Sequence, residues 1–101
     1  MANSVNTNPI YVDTAGALGI TGAIISSIAW LHTETRDIAA NDDLILRRVS
    51  KDGQTDGALI VDNRASATAD ELILQFPGQL HIQGDIYVEA IDGGALFIYL
   101  I

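Results

Sequence analysis

The sequence predicts an all-β fold: a compact antiparallel β-sandwich, jelly-roll-like, of seven or eight short strands. Three observations predict it. Short runs rich in Ile, Val, Leu and aromatic residues recur along the whole chain. Turn signals such as Asp-Gly, Pro-Gly and Gly-Gly separate them at nearly regular spacing. No segment sustains the 3.6-residue periodicity of a long helix. The 101 residues divide into a flexible N-terminal arm, residues 1–8, and a single β-sandwich domain, residues 9–101.

The elements follow in order. Pro9-Ile10-Tyr11-Val12 is a strand opened by proline, which suits a strand start or an edge. Asp13 to Gly16 reads as a turn. Thr14 to Thr33 carries no Asp, Glu, Lys or Arg and is long enough to span a bilayer. Gly16, Gly19 and Gly22 interrupt it, and no basic residue flanks its front. Two strands joined by a Gly-rich turn fit it better, the second from Ala23 to His32 with Ser26-Ser27 expected to bend it. Thr33 to Asn41 is polar and irregular, with room for a short helical turn around Glu34 to Ala40.

Leu44-Ile45-Leu46-Arg47-Arg48-Val49 is a strand. Lys51-Asp52-Gly53 and Asp56-Gly57 are turn signals, and a strand from Ala58 to Asp62 completes a hairpin over 44–61. Asn63 to Ala69 is a loop. Glu71 to Phe76 is a strand stopped by Pro77-Gly78, a pair suited to a type II turn. From Gln79 to Gln83, Leu80 and Ile82 point one way and the polar residues the other. Gly84-Asp85 marks a turn or bulge before the strand Ile86 to Ile91. Asp92-Gly93-Gly94 is a tight turn. The final run, Ala95 to Ile101, is apolar on both faces, so it belongs in the middle of a sheet or beneath another subunit. One face, Leu96, Ile98 and Leu100, is expected in the core. The other, Phe97, Tyr99 and Ile101, is expected at a contact.

Composition narrows the function classes. Counting glycine and leaving out tyrosine, about 55% of residues are apolar, against a usual 45–50%. Only 18% are charged. Such a chain carries more apolar surface than one small core hides, and a partner surface is the simplest place for the excess. The net charge of -8 argues against nucleic acid and anionic membranes as partners. Arg36, Arg47, Arg48, Lys51 and Arg64 supply all the positive charge. From Ala65 onward the charged residues are Asp70, Glu71, Asp85, Glu89 and Asp92, all acidic. The polar start, without Lys or Arg, does not read as a signal peptide.

The search for chemistry returns nothing built. There is no cysteine, hence no thiolate zinc site and no thiol nucleophile. Ser26, Ser27 and His32 share a strand but no nucleophile elbow surrounds them. Asp42-Asp43 and Asp70-Glu71 sit where loops meet strands, as turn formers do. Counted from Asp52, the 51–57 segment places acids at calcium-loop positions one and five and Gly57 at position six. Position twelve is Asn63 rather than Glu, and a hairpin loop is the better reading. His32 and His81 lack further zinc ligands in sequence. The three evenly spaced glycines match no phosphate loop. The chain is therefore read as a non-enzyme with no cofactor and no metal. Trp30 is either a core anchor or an interface anchor. Arg47-Arg48 puts a guanidinium on each side of its strand, one of them suited to a salt-bridged interface.

The chain resembles the small β-rich virion structural proteins of tailed bacteriophages. The likeness lies in a polar arm followed by Asn8-Pro9-Ile10-Tyr11-Val12-Asp13, an aromatic-bearing strand Ile28-Ala29-Trp30, and the strand opening Asp43-Leu44-Ile45-Leu46. It continues in Gln79-Leu80-His81-Ile82-Gln83-Gly84 and in Ile91-Asp92-Gly93-Gly94-Ala95-Leu96-Phe97-Ile98-Tyr99-Leu100. The resemblance implies a capsid cement or decoration protein. Such a protein is soluble in the host cytoplasm before assembly and sits on the capsid exterior afterwards, a homo-oligomer, typically a trimer, clamping the major capsid protein. The interface set expected on this reading is Pro9, Tyr11, Trp30, Arg47, Arg48, Phe97, Tyr99 and Ile101. The alternative is a receptor- or glycan-binding β module of a tail or fibre, using an exposed aromatic such as Tyr11, Trp30 or Tyr87.

Overall fold

The computed structural model describes residues 3–49 and 59–101, and among them there is no helix. Eight strands form: β1 (Ile10–Val12), β2 (Gly16–Thr21), β3 (Ile24–Leu31), β4 (Asp43–Val49), β5 (Leu59–Arg64), β6 (Leu72–His81), β7 (Asp85–Ile91) and β8 (Ala95–Leu100). They make two four-stranded sheets, β1-β8-β3-β6 and β2-β7-β4-β5. Every pairing is antiparallel. First pairs with last, second with seventh, third with sixth and fourth with fifth. The chain is thus one long hairpin wrapped around a core, the jelly-roll arrangement. The Cα radius of gyration, 12.7 Å, equals the value for a compact domain of this length, about 13 Å.

Alternation builds the core. Ile10, Val12, Ile28, Trp30, Leu96 and Ile98 face inward from the first sheet, and Leu44, Leu46, Ile86 and Val88 from the second. The Thr14–Thr33 stretch does not form a helix. Its apolar content divides between β2 in one sheet and β3 in the other, with Gly22 at φ +70° between them. Among the described residues no helix is long and apolar enough to cross a membrane. At Ser26 the register of β3 shifts against both of its neighbours, where the serine pair was expected to bend it.

Two expectations differ in detail. Thr33 to Asn41 has no helical turn. It is an irregular loop that drops Ile38, fully buried, into the core, while the His32 Nδ1 accepts the Ile38 N–H at 3.0 Å. Pro77-Gly78 does not end a strand. It lies within β6, where five steps from Gln75 to Leu80 oppose two from Ser27 to Ile25. β6 is an edge strand, so a residue without an N–H is tolerated there. The tip of the β4–β5 hairpin, including the 51–57 segment weighed as a calcium loop, lies outside the described residues.

The Asp92-Gly93-Gly94 corner carries the chain from one sheet to the other. Gly94 has φ +68°, and a Cβ there would meet the Leu31 carbonyl oxygen at 2.8 Å. Trp30 Nε1 donates to the Gly93 carbonyl at 2.9 Å. Arg36 Nε donates to the Gly94 carbonyl at 2.6 Å. Trp30 is therefore a core anchor whose polar edge is satisfied, and its place in the expected interface set is withdrawn.

Candidate interaction face

The strands of the first sheet contain no Asp, Glu, Lys or Arg. Those of the second contain Asp43, Arg47, Arg48, Asp62, Arg64, Asp85 and Glu89. The same alternation that fills the core sets the outer face of the uncharged sheet. One row across it is Tyr11, Phe97, Ala29 and Ile73. The next is Tyr99, Ser27 and Gln75. Tyr11 and Phe97 meet edge to face with ring centroids 5.5 Å apart, a favourable aromatic geometry. Tyr99 is 38% exposed and Ile73 64% exposed.

A cleft of about 390 Å³ borders this face, lined by Ser26, Ser27, Gln75, Phe76, Pro77, Gln79 and Ile101. Its polar groups are hydroxyls and amides. A second cleft, about 210 Å³, lies at the β1–β2 end and is lined by Tyr11, Asp13, Thr14, Thr35 and Arg36. Asp13 is buried there. Its carboxylate accepts from the Tyr11 hydroxyl at 3.2 Å and the Thr14 hydroxyl at 2.8 Å. Burial first, and the Asp13 carboxylate second, raise the Tyr11 phenol above its usual pKa.

The structure thus gathers part of the expected interface set. Tyr11, Phe97 and Tyr99 share the uncharged face, Ile101 lies at its border, and half-buried Pro9 leads into β1. Arg47 lies on the opposite sheet, where its guanidinium pairs with Glu89 of the same chain. Arg48 leaves the strand on the other side, into a cleft of about 280 Å³ with Leu59, Ile60, Phe76, Leu80, His81 and Ile82. The sequence reading missed Ile73 and Gln75. Their signal was present: in Leu72-Ile73-Leu74-Gln75-Phe76 they hold the parity opposite to the inward residues.

The residues weighed for chemistry serve local structure. Asp42 accepts the Ala39 N–H at 2.8 Å, and Asp43 holds Arg64 at 2.8 Å. Asp70 accepts the backbone N–H and hydroxyl of Ser66, and Glu71 accepts the His32 N–H. His32 follows β3, whereas His81 pairs with Ile24 at its beginning. The two imidazoles therefore stand at opposite ends of one strand, roughly 25 Å apart by strand rise, too far to share a metal. Among the described residues no three His, Asp or Glu side chains gather as a metal site.

Residues 3–8, expected as an arm, lie along β1. Ser4 and Tyr11 exchange two backbone hydrogen bonds, at 2.9 and 3.0 Å. The Asn3 side chain accepts from the N–H groups of Asp13 and Thr14. Asn8 brackets Leu100, donating to its carbonyl at 3.1 Å and accepting its N–H at 2.9 Å.

No protein-family model, no curated protein and no solved structure matches this chain.

Proposed function

We propose that this chain is a virion structural protein: a capsid cement or decoration subunit that acts as a homo-oligomer and stabilises the shell of the major capsid protein. One observation carries the reading. The strands of the β1-β8-β3-β6 sheet carry no ionised side chain, and the outer face presents Phe97, Tyr99 and Ile73, although the core behind it is already filled. Removing such a face from water is favourable, at roughly 25 cal/mol per Å² of apolar area. The opposite sheet keeps its charges, Arg48 apart, on its outer side, which holds many copies soluble before assembly. The resemblance to small phage virion proteins supplies the class of partner.

Co-sedimentation with empty shells of the major capsid protein from the same phage tests this. Saturable binding is expected, weakened at least tenfold by Tyr99→Lys, which places a charge on an exposed position of the face. Absence of binding by the wild-type chain overturns the reading. The glycan-binding alternative has one observation in its favour, the cleft that sets the Tyr11 ring beside Asp13 and Arg36. Saturable glycan-array binding by a chain that ignores shells would favour it.

A further inference from the structure

A four-stranded sheet has two edges, each a row of unpaired backbone groups that invites another strand. Among the described residues three of these four edges are blunted, and the fourth is blunted only in its second half. The β1 edge is covered by Ser4 through its two bonds to Tyr11. The β2 edge carries a register shift between Ala17 and Thr21 and left-handed Gly19. The β5 edge carries Asp62 and Arg64. The β6 edge carries Pro77 and a register shift between Gln75 and Leu80, but from Leu72 to Gln75 it has none of these devices among the described residues. It holds no charge, and its register against β3 is unbroken from Leu72 to Gln75. Exposed large hydrophobics gather around it: Ile73 on the strand, Leu59 across the cleft from Phe76, and Ile101 beside Pro77.

We propose that two copies of the chain pair through β6, antiparallel about a two-fold axis at Leu74, joining their uncharged sheets into one of eight strands. The inference rests on the homo-oligomer reading above and names its contact, making the unit a two-fold dimer where the resemblance implies a trimer. The incoming strand must be extended, unpaired and uncharged to match residues 72–76, and a second copy brings that strand. Charge selects the direction. Asp70 and Glu71 precede β6, and a parallel pairing would set them beside their own copies. Centred on Leu74, the antiparallel pairing sets Glu71 across from Pro77 and Asp70 across from Gly78. The two Glu71 residues then stand about 20 Å apart by strand rise, beyond the screening length of roughly 8 Å at physiological salt. Pro77, lacking an N–H, ends the paired run at each side. Ile73 falls opposite Gln75 of the second copy, and the two outer faces become continuous.

The chain has no cysteine, so an engineered disulfide reports only the contact it was placed to test. Ile73→Cys combined with Gln75→Cys, both at exposed positions, is oxidised in solution and compared with Thr68→Cys on the loop before β6. The pairing predicts a covalent dimer for the double variant well above the Thr68→Cys control. Sedimentation equilibrium of the cysteine-free chain is expected to show a dimer, with Ile73→Lys raising the dissociation constant at least tenfold. A wild-type chain that stays monomeric to about 1 mM (dimer affinity then weaker than ~4 kcal/mol) overturns the pairing. So does an oligomer that neither cross-links above control nor responds to Ile73→Lys. Shell co-sedimentation separates the two claims: a monomer that binds shells sinks the pairing alone, and a cross-linked dimer that ignores shells sinks the decoration reading alone.

Discussion

At the scale of single residues, polar atoms at the sandwich corners decide more than their number suggests. Trp30 fills the core and ties its indole N–H to the carbonyl of Gly93. Trp30→Phe keeps an aromatic ring but leaves that buried carbonyl without its partner, at a cost of about 1–3 kcal/mol. Urea unfolding should show a lower midpoint with the slope unchanged, the product of the two falling by that amount. Asp43 is a second case. Its bond to Arg64 holds the carboxyl below the usual carboxylate range. A depressed folded value means that this stabilisation is complete above the unfolded pKa, near 4, and is lost as pH falls through the folded value. Arg64→Gln removes it. Thermal midpoints measured from pH 7 down to 2 should show the variant less stable at neutral pH, with the gap closing toward pH 2. A gap that stays constant with pH would show that the ion pair is not its source.

At the scale of elements, edges separate the strands that sequence reads well from those it reads poorly. β8 is apolar on both faces because it sits between β1 and β3, and its double-faced pattern said as much. β6 was broken in two by Pro77-Gly78, since proline normally stops a central strand. Only its place at an edge lets the strand continue. Residues 3–8 carry no hydrophobic period and read as an arm, yet Asn3, Ser4 and Asn8 bind β1, the β1–β2 turn and the end of β8. Deleting residues 3–8 should therefore uncover the β1 edge and lower stability by about 2 kcal/mol, given a net worth near 1 kcal/mol per hydrogen bond and partial exposure. Thermal unfolding of the truncated chain checks this. An unchanged midpoint would mean these contacts contribute nothing to folding.

At the scale of the whole molecule, the governing fact is that charge is divided between sheets. A chain of net charge -8 resists self-association if its charges face one another. Here the strands of one sheet carry none, so copies can meet through that sheet while the acids of the other face water. The division also orders the function classes. On the reading proposed above, the uncharged face built of Phe97, Tyr99, Ala29, Ser27 and Ile73 is the one that meets the shell. Alternation made the composition of each strand's two sides legible in advance: Leu96 and Ile98 inward, Phe97 and Tyr99 outward.

By itself the sequence determined the strand class, most strand positions and the side of each strand that enters the core. Those follow from local period and turn chemistry, which the chain carries residue by residue. Tertiary structure decided which strands became neighbours, and hence that Arg47 and Phe97 lie on opposite sheets although both point outward. It also decided that Trp30 is enclosed, that Pro77 sits at an edge, and that the uncharged strands share one sheet. Strand pairing here joins residues as far apart as Ile10 and Ile98, and no local pattern encodes a partner at that distance.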